Sequence, residues 1–410
     1  MRILFLSHYF PPEVNAPASR TYEHCKQWVA DGHQVTVVTC APNHPRGRVY
    51  PGYLNRLFQR EITAGIEVVR VWTYVTANEG FVKRTFNYVS FMVSAILVVP
   101  FLAKADVVIT TSPQFFNGLA GFFVSAIKRA PWVLEIRDLW PDSILAVGAI
   151  KNRAIIRALK YLEMFAYRHA QAIVPVTDAF KRYMVEKGID AGKITVIKNG
   201  VDLAFYQVAE GENPLRKELG LEGKFIAAYF GTHGMAHHLE TIFDAAMILK
   251  DHREIVFLLV GDGAERVRLM QRRAELQLEN VRMLDQQPKE RMPFLWGLCD
   301  VSMVLLRKSD LFKTVIPSKI FESMGMRRPI ILGVEGESAE IIAQAEAGFC
   351  IEPESGAQLA ERLLTLYKDR DLVRRLGDNG RRHVTEHFDR TRLARRYEEL
   401  LAGLARGAAR

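Results

Sequence analysis

Cysteine is scarce and scattered. Cys25, Cys40, Cys299 and Cys350 are the four in a chain of 410 residues, and they show no metal-ligand spacing. Cys40 and Cys299 end or precede apolar runs, so they are expected to be buried free thiols in a reducing cytoplasm. A Walker motif is missing, and Gly261-Asp262-Gly263 lacks the spacing of a dinucleotide fingerprint. Zinc-finger spacing, an RNA-binding aromatic signature and a continuous basic helix are also missing, which argues against nucleic acid as the partner. No repeat or low-complexity tract is evident. The first seven residues, Met1-Arg2-Ile3-Leu4-Phe5-Leu6-Ser7, are too short and wrongly flanked for a signal peptide and read as a strand.

What is present is a globular composition, 49% hydrophobic and 25% charged, in a chain long enough for two domains. With nucleic acid set aside, the net charge of +9 points to an anionic membrane face or to phosphorylated substrates. Strand-like runs stand at 3–7, 35–40, 67–72, 107–111, 132–136, 173–177 and 194–197. The pattern starts again at 225–230, 255–260, 281–284, 301–306 and 330–333. Most lack polar alternation, as parallel strands covered on both faces do. Helical patterns lie between them, so the expected fold class is α/β, with two doubly wound parallel-sheet domains.

The boundary is expected near 201–224, where Asn199-Gly200 signals a turn and Glu210-Gly211-Glu212-Asn213-Pro214 is polar and breaker-rich. The expected domains are 1–203 and 204–386, with a helix at 387–410 packing back on the first. Residues 357–405 read as one continuous amphipathic helix punctuated by Gly377 and Gly380. The stretch 86–102 is nearly all apolar, with Lys83-Arg84 before it and Lys104 after. It reads either as an ordinary core helix or as a helix partly inserted at a membrane-facing surface.

In doubly wound sheets, ligands bind beyond the carboxyl ends of the strands. That rule selects the loops 7–20, 137–142, Gly231-Thr232-His233-Gly234, Gly261-Asp262-Gly263 and Arg307-Lys308. Residues 316–326 pass from a basic, polar loop through Pro317 into a helix whose first turn holds Ser318, Lys319 and Glu322. Amides at a helix start attract phosphate, and a carboxylate one turn on accepts hydrogen bonds from two sugar hydroxyls. The same residues also suit an N-capped surface helix with a charged first turn. His233, His237 and His238 cluster, but not at zinc spacing, and no metal is expected.

Taken in order, several stretches carry a resemblance. They are 8–13 (His-Tyr-Phe-Pro-Pro-Glu), 31–37, 110–113, 137–142 (Arg-Asp-Leu-Trp-Pro-Asp), 196–202, 261–265 and 317–322 (Pro-Ser-Lys-Ile-Phe-Glu). Over nearly its full length the chain resembles retaining glycosyltransferases of family four, which have the GT-B fold of two Rossmann-like domains facing across a cleft. It looks closest to the bacterial fucosamine-transferase-like branch of surface-polysaccharide assembly.

The resemblance implies a nucleotide-sugar donor, UDP-linked, held mostly by the second domain, with no cofactor. Glu322 stands where the family binds ribose hydroxyls. Ser318 and Lys319 would give amides to the diphosphate, Gly231, Thr232 and Gly261 would lie in donor-binding turns, and Ala18 and Ser19 match a turn meeting the phosphates from the first domain. The acceptor would be a polyprenyl-diphosphate-linked saccharide, with the protein peripheral on the inner face of the bacterial cytoplasmic membrane. The expected products are O-antigen, capsule or exopolysaccharide.

The departures from the family are specific. Thr314 replaces the first glutamate of the family's pair, which implies an unusual donor such as a deoxy or acetamido sugar. The family's phosphate-binding Arg/Lys pair falls near Thr232 and His237, so the charge on the departing diphosphate must be met by Lys308, Arg307 or Lys319. Lys308 is the first candidate. Arg137 stands where the family often has a histidine. Asp138 beside it has three possible roles in the reaction (base, orienter or acceptor contact), and a helix cap is the alternative. The expected mechanism is transfer with retention, metal-independent if protein cations stabilise the leaving group. A sugar-nucleotide epimerase of the same fold and a non-catalytic scaffold of a polysaccharide assembly complex are the rival readings.

Overall fold

The computed structural model describes residues 1–44, 46–76, 81–146, 152–207 and 213–408; the polar stretch Glu210-Gly211-Glu212 lies outside them. The chain forms two compact units, one of Met1–Lys198 with Arg390–Arg410, the other of Asn199–Asp389.

The first unit holds seven strands: β1 (Arg2–Leu6), β2 (Gln34–Cys40), β3 (Phe58–Thr63), β4 (Ile66–Val71), β5 (Val107–Thr111), β6 (Trp132–Ile136) and β7 (Ala172–Pro175). They line up as β3-β4-β2-β1-β5-β6-β7. All pairs are parallel except β3 with β4. The apolar runs of β1, β5 and β6 are buried along nearly their whole length, as helix-covered parallel strands require.

The hairpin β3–β4 turns on Ala64 and Gly65, both at positive φ, the two-residue geometry that matches strand twist. β3 carries no apolar run in the sequence, because its residues alternate along an exposed edge. The expected strand at 194–197 is not a regular one. Ile194 bridges Ile173, and two backbone bonds of 3.0 Å tie Thr195 and Ile197 to β7 before the chain turns away.

The helix Ala16–Ala30 starts where Asn15 Oδ1 accepts the Ala18 amide at 2.8 Å. The last helix, Arg390–Ala408, packs on it. The Trp28 indole N–H donates to the Ala394 carbonyl at 3.0 Å, and the Trp28 ring meets Tyr397 edge-on at 5.4 Å between centroids.

The second unit holds β8 (Phe225–Phe230), β9 (Ile255–Val260), β10 (Val281–Leu284), β11 (Val301–Leu305), β12 (Ile330–Gly333) and β13 (Gly348–Cys350). Their order is β10-β9-β8-β11-β12-β13, all parallel. Strand order reverses between β8 and β11, so the loops leaving these two strands and β9 form the place where such sheets hold ligands.

The expected single helix at 357–405 is three: Gly356–Lys368, Arg370–His387 and Arg390–Ala408. The breaks fall at Asp369, which caps the second helix by accepting the Leu372 amide at 2.8 Å, and at Phe388-Asp389. Gly377 and Gly380 lie inside a helix. They are there for close approach: a Cβ at 377 would stand 2.3 Å from the Arg327 carbonyl oxygen.

Candidate functional site

Three glycines shape the floor of the site in the second unit. Gly231 (φ 137°) follows β8, and Gly261 (φ 154°) and Gly263 (φ 157°) follow β9. These backbones touch: a Cβ at Gly261 would meet the Gly231 carbonyl oxygen at 1.9 Å, and one at Gly263 the His233 carbonyl oxygen at 2.5 Å. Hydrogen bonds lock the two loops together. His233 N–H donates to the Asp262 carbonyl at 2.9 Å, and Glu265 N–H donates to the His233 carbonyl at 2.9 Å. The second loop is braced by Arg266, whose guanidinium reaches the Gly261 and Leu284 carbonyls at 2.9 and 3.0 Å. The result is a rigid, side-chain-poor patch of backbone on which a polar ligand can lie directly.

Lys319 crosses this patch. A Cβ at Gly231 would stand 2.7 Å from Lys319 Cε and 2.9 Å from its Nζ, so the lysine stem lies against bare glycine backbone. Its ammonium sits 3.8 Å from the centroid of the Tyr229 ring, a cation–π contact. Burial lowers the Lys319 pKa to about 7, with the Glu322 charge opposing the drop. Near neutral pH this lysine is divided between its charged and neutral forms, with burial favouring the neutral one and Glu322 the cation.

Glu322 is one turn further along the short helix Lys319–Gly325. Burial raises its pKa to about 6; the Trp296 indole, Lys319, Lys289 and the Tyr206 hydroxyl pull it down. The Ser318 and Lys319 amides precede the first helical bond, from Ile320 N–H to the Pro317 carbonyl at 3.2 Å. Tyr206 comes from one distant segment and Lys289 and Trp296 from another, 289–298, and only the fold joins them to Glu322.

Lys308 is placed differently. Its ammonium is exposed and lies 2.6 Å from Glu352 Oε1, while its amide donates to Glu354 at 3.0 Å. Its charge is already compensated, so the structure argues for Lys319 over Lys308 as the cation of this site. Thr314 ends a turn and donates its hydroxyl to the Leu311 carbonyl at 2.7 Å. That side chain is a small capped surface with no carboxylate. Thr232 stands in the glycine loop, and its carbonyl accepts the Tyr229 hydroxyl at 2.8 Å.

The histidines are held apart by their own contacts. His233 is fully buried, and burial with Arg266 and Lys319 lowers its pKa to about 4. His237 falls to about 3, by burial and then Lys319. His238 faces the Thr241 hydroxyl at 3.1 Å. Among the described residues no group of three or more His, Cys, Asp or Glu side chains is gathered as a metal site.

In the first unit the loops after β1 and β6 carry the remaining candidates. The Ala18 amide is spent on Asn15 Oδ1, and the Ser19 amide on the Asn15 carbonyl at 3.0 Å; Ser19 retains its hydroxyl as a contact group. Arg137 shares the interior with Glu135 and Arg20. Burial lowers its pKa to about 9, and its Nε and Nη1 find no hydrogen-bond partner among the described residues. Asp138 Oδ2 accepts from the Ser143 hydroxyl at 3.1 Å, and burial raises its pKa against the pull of Arg84. Arg84 also lowers the His44 pKa, after burial, and bonds the Tyr88 hydroxyl at 3.1 Å. His8 packs edge-on to Tyr9, Tyr88 and Phe91. Asp138, His44, Tyr9 and Arg84 thus form a second polar group, with Arg84 as its cation.

Comparison with known proteins follows the two units. The family model for the glycosyl transferase 4-like domain matches residues 15–200, and that for glycosyl transferases group 1 matches 212–383. WcaI of Escherichia coli (strain K12), named as a glycosyl transferase of colanic acid biosynthesis, is 26% identical over 370 residues, covering 87% of this chain and 89% of that one. WbjE of Pseudomonas aeruginosa, named as a glycosyltransferase, is 27% identical over 233 residues, 56% of this chain and 58% of its own. Among solved structures, Anabaena HepE in complex with UDP and glucose aligns with a TM-score of 0.73 at 18% identity, over 98% of this chain and 100% of that one. Sucrose-phosphate synthase from Thermosynechococcus elongatus aligns with a TM-score of 0.77 at 18% identity, over 98% of each chain. These alignments show the GT-B fold.

Proposed function

Because the chain belongs to the group 1 glycosyltransferases, we propose that it moves a sugar, with retention, from a nucleoside-diphosphate donor to a lipid-linked saccharide. The observation that carries this reading is Lys319 lying across the glycine patch with Glu322 one turn on. A diphosphate resting on the Gly231 and Gly261 backbone would meet the buried Lys319 ammonium beside them, and a ribose would fall to the Glu322 carboxylate. The departing diphosphate gains charge as the glycosidic bond breaks. A fixed cation in a low-dielectric site stabilises that change more than it stabilises the bound donor. The acceptor hydroxyl attacks on the face the diphosphate leaves and passes its proton to the departing phosphate oxygen, and Lys319 supplies charge stabilisation without a metal.

UDP is the donor nucleotide we favour, since HepE of the same fold was solved with UDP and with UDP-glucose. The donor sugar is a deoxy or acetamido sugar. Thr314 supports this: its hydroxyl is already donated within the turn, so the position offers no carboxylate to a sugar hydroxyl. The acceptor is polyprenyl-diphosphate-linked, the product a surface polysaccharide, and the site of reaction the inner face of the bacterial cytoplasmic membrane. The fucosamine-transferase-like branch fits this substrate pair.

The test is transfer from a panel of UDP-sugars to a polyprenyl-diphosphate-linked saccharide. Acetamido or deoxy donors are expected to outperform UDP-glucose, and Thr314→Glu is expected to move preference toward UDP-glucose by about tenfold. A native preference for UDP-glucose would sink the donor assignment. Donor turnover with acceptor omitted would indicate the epimerase instead.

A further inference from the structure

The helix Phe81–Val98 and the short turn Val99–Phe101 that follows it carry an exposed apolar face. Phe86 is 64% exposed and Phe101 78%, and Val93 and Leu97 lie between them on the same side. The spacing of 86, 93, 97 and 101 keeps one helical stripe outward. Phe123 and Ile127 are exposed on the neighbouring helix Phe115–Lys128, which also packs against this one. Contiguous exposed apolar surface of this kind marks an interaction site.

Charge says what covers it. From position 81 to 134 the only acidic residue is Asp106, and it is paired with Arg2 at 2.6 Å. Lys83 stands at one end of the stripe and Lys104, Lys128 and Arg129 at the other. An apolar stripe with cations at its ends and almost no acids is complementary to an anionic bilayer, with acyl chains at its centre and headgroup phosphates at its rim.

The segment Val82–Phe101 is also long and apolar enough to cross a bilayer, and only 33% of it is buried, unlike a core helix. Its inner face forbids a span. Tyr88, Phe91, Ala95 and Val98 are buried in the unit. Asn87 Nδ2 donates to the Tyr74 carbonyl at 2.7 Å, and Gln114 Nε2 to the Tyr88 carbonyl at 2.8 Å, bonds that a spanning helix would have to give up.

We propose that this face lies in the headgroup and upper acyl region of an anionic bilayer, its outward stripe inserted and its long axis in the membrane plane. The polar group of Arg84, Asp138, His44 and Tyr9 includes Arg84 from the first turn of this helix, and so opens at headgroup level, where a lipid-linked diphosphate would arrive. The membrane assignment rests on the lipid-linked acceptor of the proposed function only for its purpose; the surface argument stands without it.

The test uses the full chain and sedimentation with vesicles, with UDP binding measured in parallel. Vesicles of phosphatidylcholine with about 30% phosphatidylglycerol are expected to bind at least about tenfold more tightly than pure phosphatidylcholine, with binding weakened by salt. Leu97→Ser with Phe101→Ser, both outward-facing, is expected to cut vesicle binding by about tenfold while UDP binding stays unchanged. Failure of the native chain to bind either vesicle would overturn the proposal even if UDP binds. So would self-association without vesicles that the double variant abolishes, which would assign the face to a second copy. Loss of UDP binding with vesicle binding intact would count against the donor site alone.

Discussion

Replacing Lys319 by methionine is expected to cut turnover about 100- to 1,000-fold and, at neutral pH, to raise the melting temperature by a few degrees. Both effects come from one fact: the fold holds this ammonium where charge is costly. Its pKa is lowered to about 7, by burial first. The sign follows by linkage. A lysine in the unfolded chain keeps its proton to about pH 10.4. The folded protein therefore bears the cost of charging Lys319 below pH 7, and bears less of it as pH rises above 7. Methionine removes that cost while keeping the stem against Gly231 and Tyr229, so the stability gain is greatest below pH 7 and fades toward pH 10. A lysine that merely held the loops together would behave oppositely, with its removal lowering the melting temperature. Lys308→Ala gives the contrast: with its charge met by Glu352 at the surface, it is expected to change turnover by no more than a few-fold.

Glu322→Gln is expected to weaken UDP binding about 10- to 100-fold and leave the fold intact. Two ribose hydroxyls donating to one carboxylate make charge-assisted hydrogen bonds, each worth about 1.5–3 kcal/mol. Glutamine keeps the shape and offers one neutral carbonyl. The native enzyme should mimic the variant in acid. Since Glu322 titrates at about 6, native affinity for UDP should fall as pH drops through that value, and the fall should be missing in the variant. Calorimetric titrations of both proteins between pH 5 and 7 would decide it, after allowance for protonation of the nucleotide's own phosphate. An equal decline in the two would remove Glu322 from the ribose.

The strands were legible because parallel strands buried on both faces must be apolar throughout. Runs such as Phe225–Phe230 and Ile255–Val260 leave no other reading. What escaped was whatever lacks that signature: β3, which alternates along an exposed edge, the three-residue edge strand β13, and the breaks of the last three helices, set by Asp369 and Phe388-Asp389 instead of by glycines. The candidate site divided the same way. Glu322, Lys319 and the glycine turns stand next to strand and helix ends, so sequence order places them.

Choosing among the cations needed three dimensions, because charge compensation is a matter of distant partners. Glu352 neutralises Lys308 from 44 positions away, whereas Lys319 lies against glycine backbone and an aromatic face, with Glu322 one turn on as the charge that favours its cation. Arg84 was noted in sequence only as a flank of the apolar stretch. The fold brings it beside Asp138 and so gives the first unit's polar group a cation.

The most direct test of the central claim, that Lys319 is the cation meeting the diphosphate, is the proton balance of UDP binding. Calorimetric titration at pH 8 in two buffers of different ionisation enthalpy reads the protons taken up. Lys319 is mostly neutral at that pH and must recover its charge beside the diphosphate, so uptake of about one proton is expected in the native protein and almost none in Lys319→Met. UDP binding with heats that do not depend on the buffer, equal in the two proteins, would contradict the account.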